Sequence, residues 1–163
     1  MTARPVLHLL CGKAASGKST LARRLAEGPA TLMISEDFWL SRLYAGQQDT
    51  IEQYIRNSRR LREVMGPHIE SLLKAGLSIV LDFPANTPVI RRWMRGLAEA
   101  ANADHRLHFL DVSDEECKAR LHQRNEGGTH DFTVSDAEFE EITRYFVPPS
   151  ADEGLTIVNH QAS

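Results

Sequence analysis

Cysteine is scarce: the 163-residue chain has only Cys11 and Cys117. Two thiols do not make a disulfide framework, and reduced side chains in a cytosol are the default. Long apolar runs are missing as well. No segment approaches the roughly 20 residues that a membrane-spanning helix needs. The opening "MTARPVLHLLCGK" holds an apolar stretch too short for a signal peptide, followed at once by charge. These absences predict a cytoplasmic protein without membrane contact. Nor does one charge dominate: 19 Lys and Arg against 22 Asp and Glu leave a net charge of -3. Such a chain has no general attraction for nucleic acid, so a polyanion would need a local basic patch. The seven histidines show no H-E-x-x-H or other metal spacing, and no G-x-S-x-G elbow occurs. Internal repeats and low-complexity tracts are absent too.

What remains is ordinary for a globular domain, with 42% apolar and 25% charged residues and a length suited to one domain, residues 1–163. Short apolar runs alternate with helical patterns. Val6 to Leu10 and Ala30 to Ser35 read as buried strands, and Leu77 to Phe83, Arg106 to Val112 and Leu155 to Val158 as three more strands. Between them, helices are predicted from Lys18 to Glu27, in "EDFWLSRLY", and from Ile51 to Lys74, where apolar residues recur at three- and four-residue steps. Thr87-Pro88 supplies an N-cap and first helical position for a further helix. Ser113 with Glu116, and Ser135 with Glu138, are capping-box patterns opening two more.

This alternation predicts an α/β fold, a five-stranded parallel sheet with helices on both faces. Ligands in such sheets sit beyond the carboxyl ends of the strands. Gly12 to Ser19, Ser35 to Asp37, Asp82 to Asn86, Asp111 to Ser113 and Asn159 should therefore converge.

Gly12-Lys13-Ala14-Ala15-Ser16-Gly17-Lys18-Ser19 matches G-x-x-x-x-G-K-[ST]. From ordinary residue frequencies, the chance of that pattern in a chain this long is under about one percent. The glycines let successive N–H groups turn inward as an anion nest at a helix N-terminus, with Thr20 just beyond. Lys18 can reach the β- and γ-phosphates of a nucleoside triphosphate, and the Ser19 hydroxyl can ligate Mg²⁺. The fold class is then the three-layer P-loop NTPase type. "GKAASG" does not fit G-x-G-x-x-G, which disfavours a dinucleotide site.

With its phosphate loop, the acidic residue in "MISEDFW", the strand "SIVLDF" and the arginines of "KARLHQRN", the chain resembles the small P-loop kinases. The resemblance is to the group containing chloramphenicol phosphotransferase, zeta-toxin-like kinases and polynucleotide kinase. It implies ATP and Mg²⁺ as cofactors and a small-molecule hydroxyl as acceptor. Asp37 is then the general base, although Glu36 could take that role, and either carboxylate could merely stabilise the first turn of a helix. Asp82 would hold Mg²⁺ or contact the acceptor, or be an ordinary strand-end residue. Phe83, where motor ATPases commonly carry glutamate, favours transfer over hydrolysis. Arg120 and Arg124, four apart on one helix face, would stabilise the migrating phosphoryl group, a solvated face being the alternative. A short lid is expected at about 125–134, hinged at Gly127 and Gly128 and containing His130 and Asp131.

Two other basic clusters, Arg56, Arg59, Arg60 and Arg62, and Arg91, Arg92 and Arg95, read as solvated helix faces, the alternative being that one of them grips an anionic acceptor. Phe38, Trp39, Tyr44 and Trp93 read as core or pocket wall. Rival functions are a polynucleotide 5'-kinase, which needs a basic channel, and a nucleotide-dependent switch. Against the switch, the chain is short for a full AAA-type module with its separate helical lid domain.

Overall fold

The computed structural model describes residues 3–128 and 133–161. Five parallel strands lie in the order β2-β3-β1-β4-β5: β1 (Val6–Cys11), β2 (Thr31–Ser35), β3 (Ser78–Pro84), β4 (Asp104–Asp111) and β5 (Ile157–Gln161). β1 is central, so its side chains meet protein on both faces, and Leu7, Leu9, Leu10 and Cys11 are wholly buried. The crossovers are α1 (Lys18–Leu25), α2 (Glu36–Leu43), α3 (Ile51–Lys74), α4 (Pro88–Ala100), α5 (Asp114–Gly127) and α6 (Asp136–Thr143). Among the described residues no helix is long and apolar enough to cross a membrane.

One face of the sheet packs Leu7, Leu9, Ile79 and Leu81 against Leu61, Met65, Ile69 and Leu73 of α3 and Met94 and Leu97 of α4. The other packs Leu10, Val80 and Leu110 against Leu21 and Ala22 of α1. A third cluster joins Val112 to Cys117 and Leu121 of α5 and Phe139 of α6, and abuts Ala14 and Ala15. The predicted three layers are present. Cys11 and Cys117 are free and buried, the first ending β1 and the second on α5.

Local chemistry follows the caps. Thr50 and Gln53 cap α3 reciprocally, Thr87 accepts from the Ile90 N–H ahead of Pro88, and Ser113 accepts from the Glu116 N–H. Only half of the box expected at Ser113 is formed, because the Glu116 carboxylate turns forward to Arg120. At Ser135 the Glu138 carboxylate accepts from the cap's own hydroxyl.

Four expectations need correction. β2 is an edge strand rather than a buried one, and leaves Leu32 and Met33 exposed. β5 starts two residues later than the apolar run, since Leu155 packs against the core ahead of the ladder. Phe38 and Trp39 are exposed and so take no part in the core, Phe38 lying beneath the Arg42 guanidinium, whereas Tyr44 and Trp93 do pack on the core. Arg91 is no solvated residue: it is fully buried, with its guanidinium facing Glu153 and main-chain carbonyls.

Beside α1, three imidazoles cross the sheet in a hydrogen-bonded row. His8 Nδ1 lies 2.9 Å from His108 Nε2, and His108 Nδ1 lies 2.9 Å from His160 Nε2. Burial, with Arg106 adding to it, pushes His8 down to about 4. Burial and the neighbouring His8 and His160 push His108 down to about 4 as well.

Candidate nucleotide site

The loop between β1 and α1 has the backbone of an anion nest. Ala15 (φ 62°) and Gly17 (φ 103°) adopt left-handed conformations, and the Ser16 N–H donates to the Lys13 carbonyl at 3.1 Å. Gly12 permits a close approach: a Cβ there would collide with the Ser16 hydroxyl and come within 3.1 Å of the Leu110 carbonyl. Ser16 is buried, and its hydroxyl has no hydrogen-bond partner among the described residues. Thr20 is exposed on the first turn of α1.

Lys18 folds back on the loop, donating to Gly12 O at 2.6 Å and Lys13 O at 2.7 Å. Burial pushes its ammonium pKa down, while the carboxylates of Asp82 and Asp37 pull it up. Lys13 points elsewhere, to Asp114 at 2.7 Å and the Val112 carbonyl at 3.3 Å, pinning the loop to the start of α5.

Ser19 donates to Asp82 Oδ2 at 2.9 Å, which joins loop and sheet. Burial raises the Asp82 carboxyl, against the Ser19 hydrogen bond and the charges of Lys18 and Arg23. A hydroxyl and a carboxylate side by side are the hard oxygen donors that Mg²⁺ prefers, so this pair fits the ion.

β3 reaches the loop a second time. Leu9 is aligned with Leu81, but Leu10 with Pro84, so the β3 chain bulges between them. Past the bulge, Ala85 N–H donates to Leu10 O at 2.9 Å, and the Asn86 amide takes both main-chain groups of Gly12. Gly12 N–H donates to Asn86 Oδ1 at 3.0 Å, and Asn86 Nδ2 donates to Gly12 O at 2.9 Å. Sequence reading placed Asn86 among the converging residues without giving it a task. A run of strand residues does not advertise its bulge.

At the start of α2, Glu36 and Asp37 part company. Glu36 is buried, accepting hydrogen bonds from Tyr54 and, at 2.7 Å, from Ser58, which itself accepts from Arg62 at 2.8 Å. Burial raises its carboxyl to about 7 in spite of those hydrogen bonds. Asp37 is exposed, and its charge acts on Lys18 and Arg124. Tyr54 and Ser58, four apart on α3, were the only signal for this socket.

From α5, Arg120 donates to Ser16 O at 3.2 Å and Ala15 O at 3.4 Å, and pairs with Glu116 at 2.8 Å. Arg124 has a buried Nε without a hydrogen-bond partner among the described residues. Burial lowers its pKa and the Asp37 carboxylate raises it. Asn125 ties off the segment beyond, donating to Val134 O at 2.8 Å and accepting from Val134 N–H at 3.4 Å. Gly128 ends α5 in a left-handed conformation, while His130 and Asp131 lie outside the described residues. Asp111, Asn159, His160 and Gln161 line a polar cavity of about 420 Å³ at the carboxyl ends of β4 and β5.

Fold and loop together define a P-loop protein of the three-layer α/β class. The AAA domain family matches residues 7–149, and the chain belongs to that family. The matched stretch runs from β1 to just past α6 and leaves out β5. Among solved structures the fold is shared with a putative kinase from Chloroflexus aurantiacus J-10-fl, at 20% identity and a TM-score of 0.76, covering 97% of this chain and 85% of that one. It is also shared with the RNA repair complex Pnkp1/Rnl/Hen1, at 19% identity and a TM-score of 0.65, covering 89% and 45%. A sugar kinase from Janibacter sp. HTCC2649 is similar at 16% identity and a TM-score of 0.63, covering 98% and 86%. No curated protein matches the chain.

Proposed function

We propose that this chain is an ATP-dependent, cytoplasmic kinase that transfers the γ-phosphoryl group to a hydroxyl of a small-molecule acceptor. The observation that carries the reading is the convergence of Lys18, the Ser19–Asp82 pair and Asp37 at one end of the sheet. Nest amides from Gly12 to Thr20 bind the triphosphate, and Lys18 leaves its carbonyls for the β- and γ-phosphates. Ser19 and Asp82 hold Mg²⁺, which supplies charge neutralisation on the phosphate oxygens.

Asp37 serves as general base. It accepts the acceptor's hydroxyl proton as that oxygen bonds to the γ-phosphorus and the bond to the β–γ bridging oxygen breaks, releasing ADP. Glu36 is unsuited, since Tyr54 and Ser58 occupy both of its carboxylate oxygens. Arg120 and Arg124 stabilise the transferring charge, Arg124 having a buried N–H without a partner among the described residues. The fold shared with a sugar kinase supports a hydroxyl acceptor.

A polynucleotide 5'-hydroxyl acceptor has in its favour the exposed arginines Arg56, Arg59 and Arg60 on α3 and the fold shared with the RNA repair complex Pnkp1/Rnl/Hen1. The test is a screen of nucleosides, sugars, antibiotics and 5'-hydroxyl oligonucleotides for ATP-dependent phosphorylation. Asp37→Asn should keep ATP affinity while transfer falls roughly 100-fold or more, and Lys18→Ala should abolish turnover. Full activity of Asp37→Asn on the true acceptor would remove the base assignment. A steep salt dependence of oligonucleotide binding would favour the polynucleotide reading.

A further inference from the structure

We infer that Asn86 is the positioning residue of the phosphate loop: it holds Gly12 in place and keeps its carbonyl paired when Lys18 departs for a phosphate. This rests on the reading of Gly12 to Ser19 as the nucleotide site. β1 ends at Cys11, so Gly12 is the first residue beyond the ladder, and its N–H and C=O need partners from elsewhere. A primary amide is the side-chain group that can accept from the one and donate to the other, and Asn86 does both.

The placement is over-determined. The bulge in β3 lets Asp82 face Ser19 while Asn86, four residues on, faces Gly12. The Asn86 main chain is anchored on both sides. Its carbonyl accepts from Val147 N–H at 2.9 Å, and the preceding Ala85 carbonyl accepts from Arg91 at 3.0 Å.

Gly12 O carries two donors, Asn86 Nδ2 and Lys18 Nζ, one for each lone pair. When Lys18 turns to the triphosphate, one donor remains. Without Asn86, Lys18 would be the sole side-chain donor to that carbonyl among the described residues, and each departure would leave a part-buried acceptor unpaired. Asp at this position would do worse. It could accept from the Gly12 N–H, but it would face the Gly12 carbonyl oxygen with a negative charge and bind Lys18 as a counter-ion.

The experiment measures MgATP and MgADP dissociation constants by calorimetry on the full chain, together with nucleotide-free thermal unfolding, for wild type, Asn86→Ala and Asn86→Asp. Asn86→Ala should weaken both nucleotides roughly tenfold. Asn86→Asp, which keeps one hydrogen bond and gains a partner for Lys18, should melt at or above Asn86→Ala yet bind nucleotide more weakly. That inversion of the two rankings is what a merely structural role would not produce. Wild-type affinity in either variant, affinity losses that follow the melting temperatures, or failure of both variants to fold would overturn the proposal. If wild type itself takes up neither nucleotide, the nucleotide reading falls; if wild type binds and Asn86→Ala binds equally, only the role of Asn86 falls.

Discussion

Arg91 and Glu153, 62 residues apart, form a two-point ion pair. Arg91 Nε lies 2.9 Å from Oε1 and Nη2 lies 3.1 Å from Oε2, with the arginine wholly buried. The remaining guanidinium nitrogen donates to the carbonyls of Ala85 and Val147. Hydrogen bonds from Arg91 hold the Glu153 carboxyl below the usual range. The pair fastens α4 and the last crossover to the floor under the phosphate loop. Glu153→Ala would strand a buried cation, and should cost about 3 kcal/mol or more of unfolding free energy in urea titrations. An Arg91→Met, Glu153→Leu double variant should cost less than the single change, because no charge is left unpaired.

The cost at Gly17 is conformational rather than steric. A Cβ would lie 3.5 Å from the Leu110 side chain, an ordinary contact, but φ is +103°. Gly17→Ala should therefore lose about 1–2 kcal/mol in stability. MgATP affinity should drop with it, as the amide leading into α1 relaxes out of line. Unchanged calorimetric affinity would mean that the nest tolerates a different backbone.

The strands, the helices and the phosphate loop were legible in the sequence because each rests on local periodicity or on caps read within four residues. Ile51 to Lys74 was legible as one helix for that reason, and the structure has the same bounds. What was not legible depends on neighbours distant in sequence. Arg91 sits beside Arg92 in an apparently basic stripe, and nothing nearby says that Glu153 waits to receive it. β2 has the composition of an interior strand, and only the sheet order puts it at the edge. Glu36 and Asp37 are adjacent carboxylates, which a single residue step of about 100° around the helix sends to different environments.

Glu36 makes stability fall as pH rises. Its carboxyl is raised from 4.5 to about 7 in the folded chain. Between those values the native state holds a proton that the unfolded chain has released, so the stabilisation present below pH 4.5 is lost on the way to 7. Glu36→Gln should flatten this part of the melting-temperature profile and raise the melting point at pH 8 relative to wild type. An unaltered profile would show that the carboxyl titrates normally.

The imidazole row works in the opposite direction. His8 and His108 have native values near 4, below the 6.5 of free histidine. From pH 6.5 down to 4 the unfolded chain binds protons that the native state refuses, so acid removes stability. A His8→Leu, His108→Leu double variant should lose this component, the slope of its stability against pH being shallower than wild type by the equivalent of up to about two bound protons. Equal slopes would refute the assignment.

The convergence of Asp82, Asn86, Val147 and Glu153 under Gly12 gives the chain a timetable. During synthesis the glycine-containing turn leaves the ribosome ahead of the groups that brace it, which follow tens to well over a hundred residues later. A nascent chain therefore carries a floppy turn and no receptor for a triphosphate. Competence arrives late and all at once, when the chain as far as Glu153 is in place.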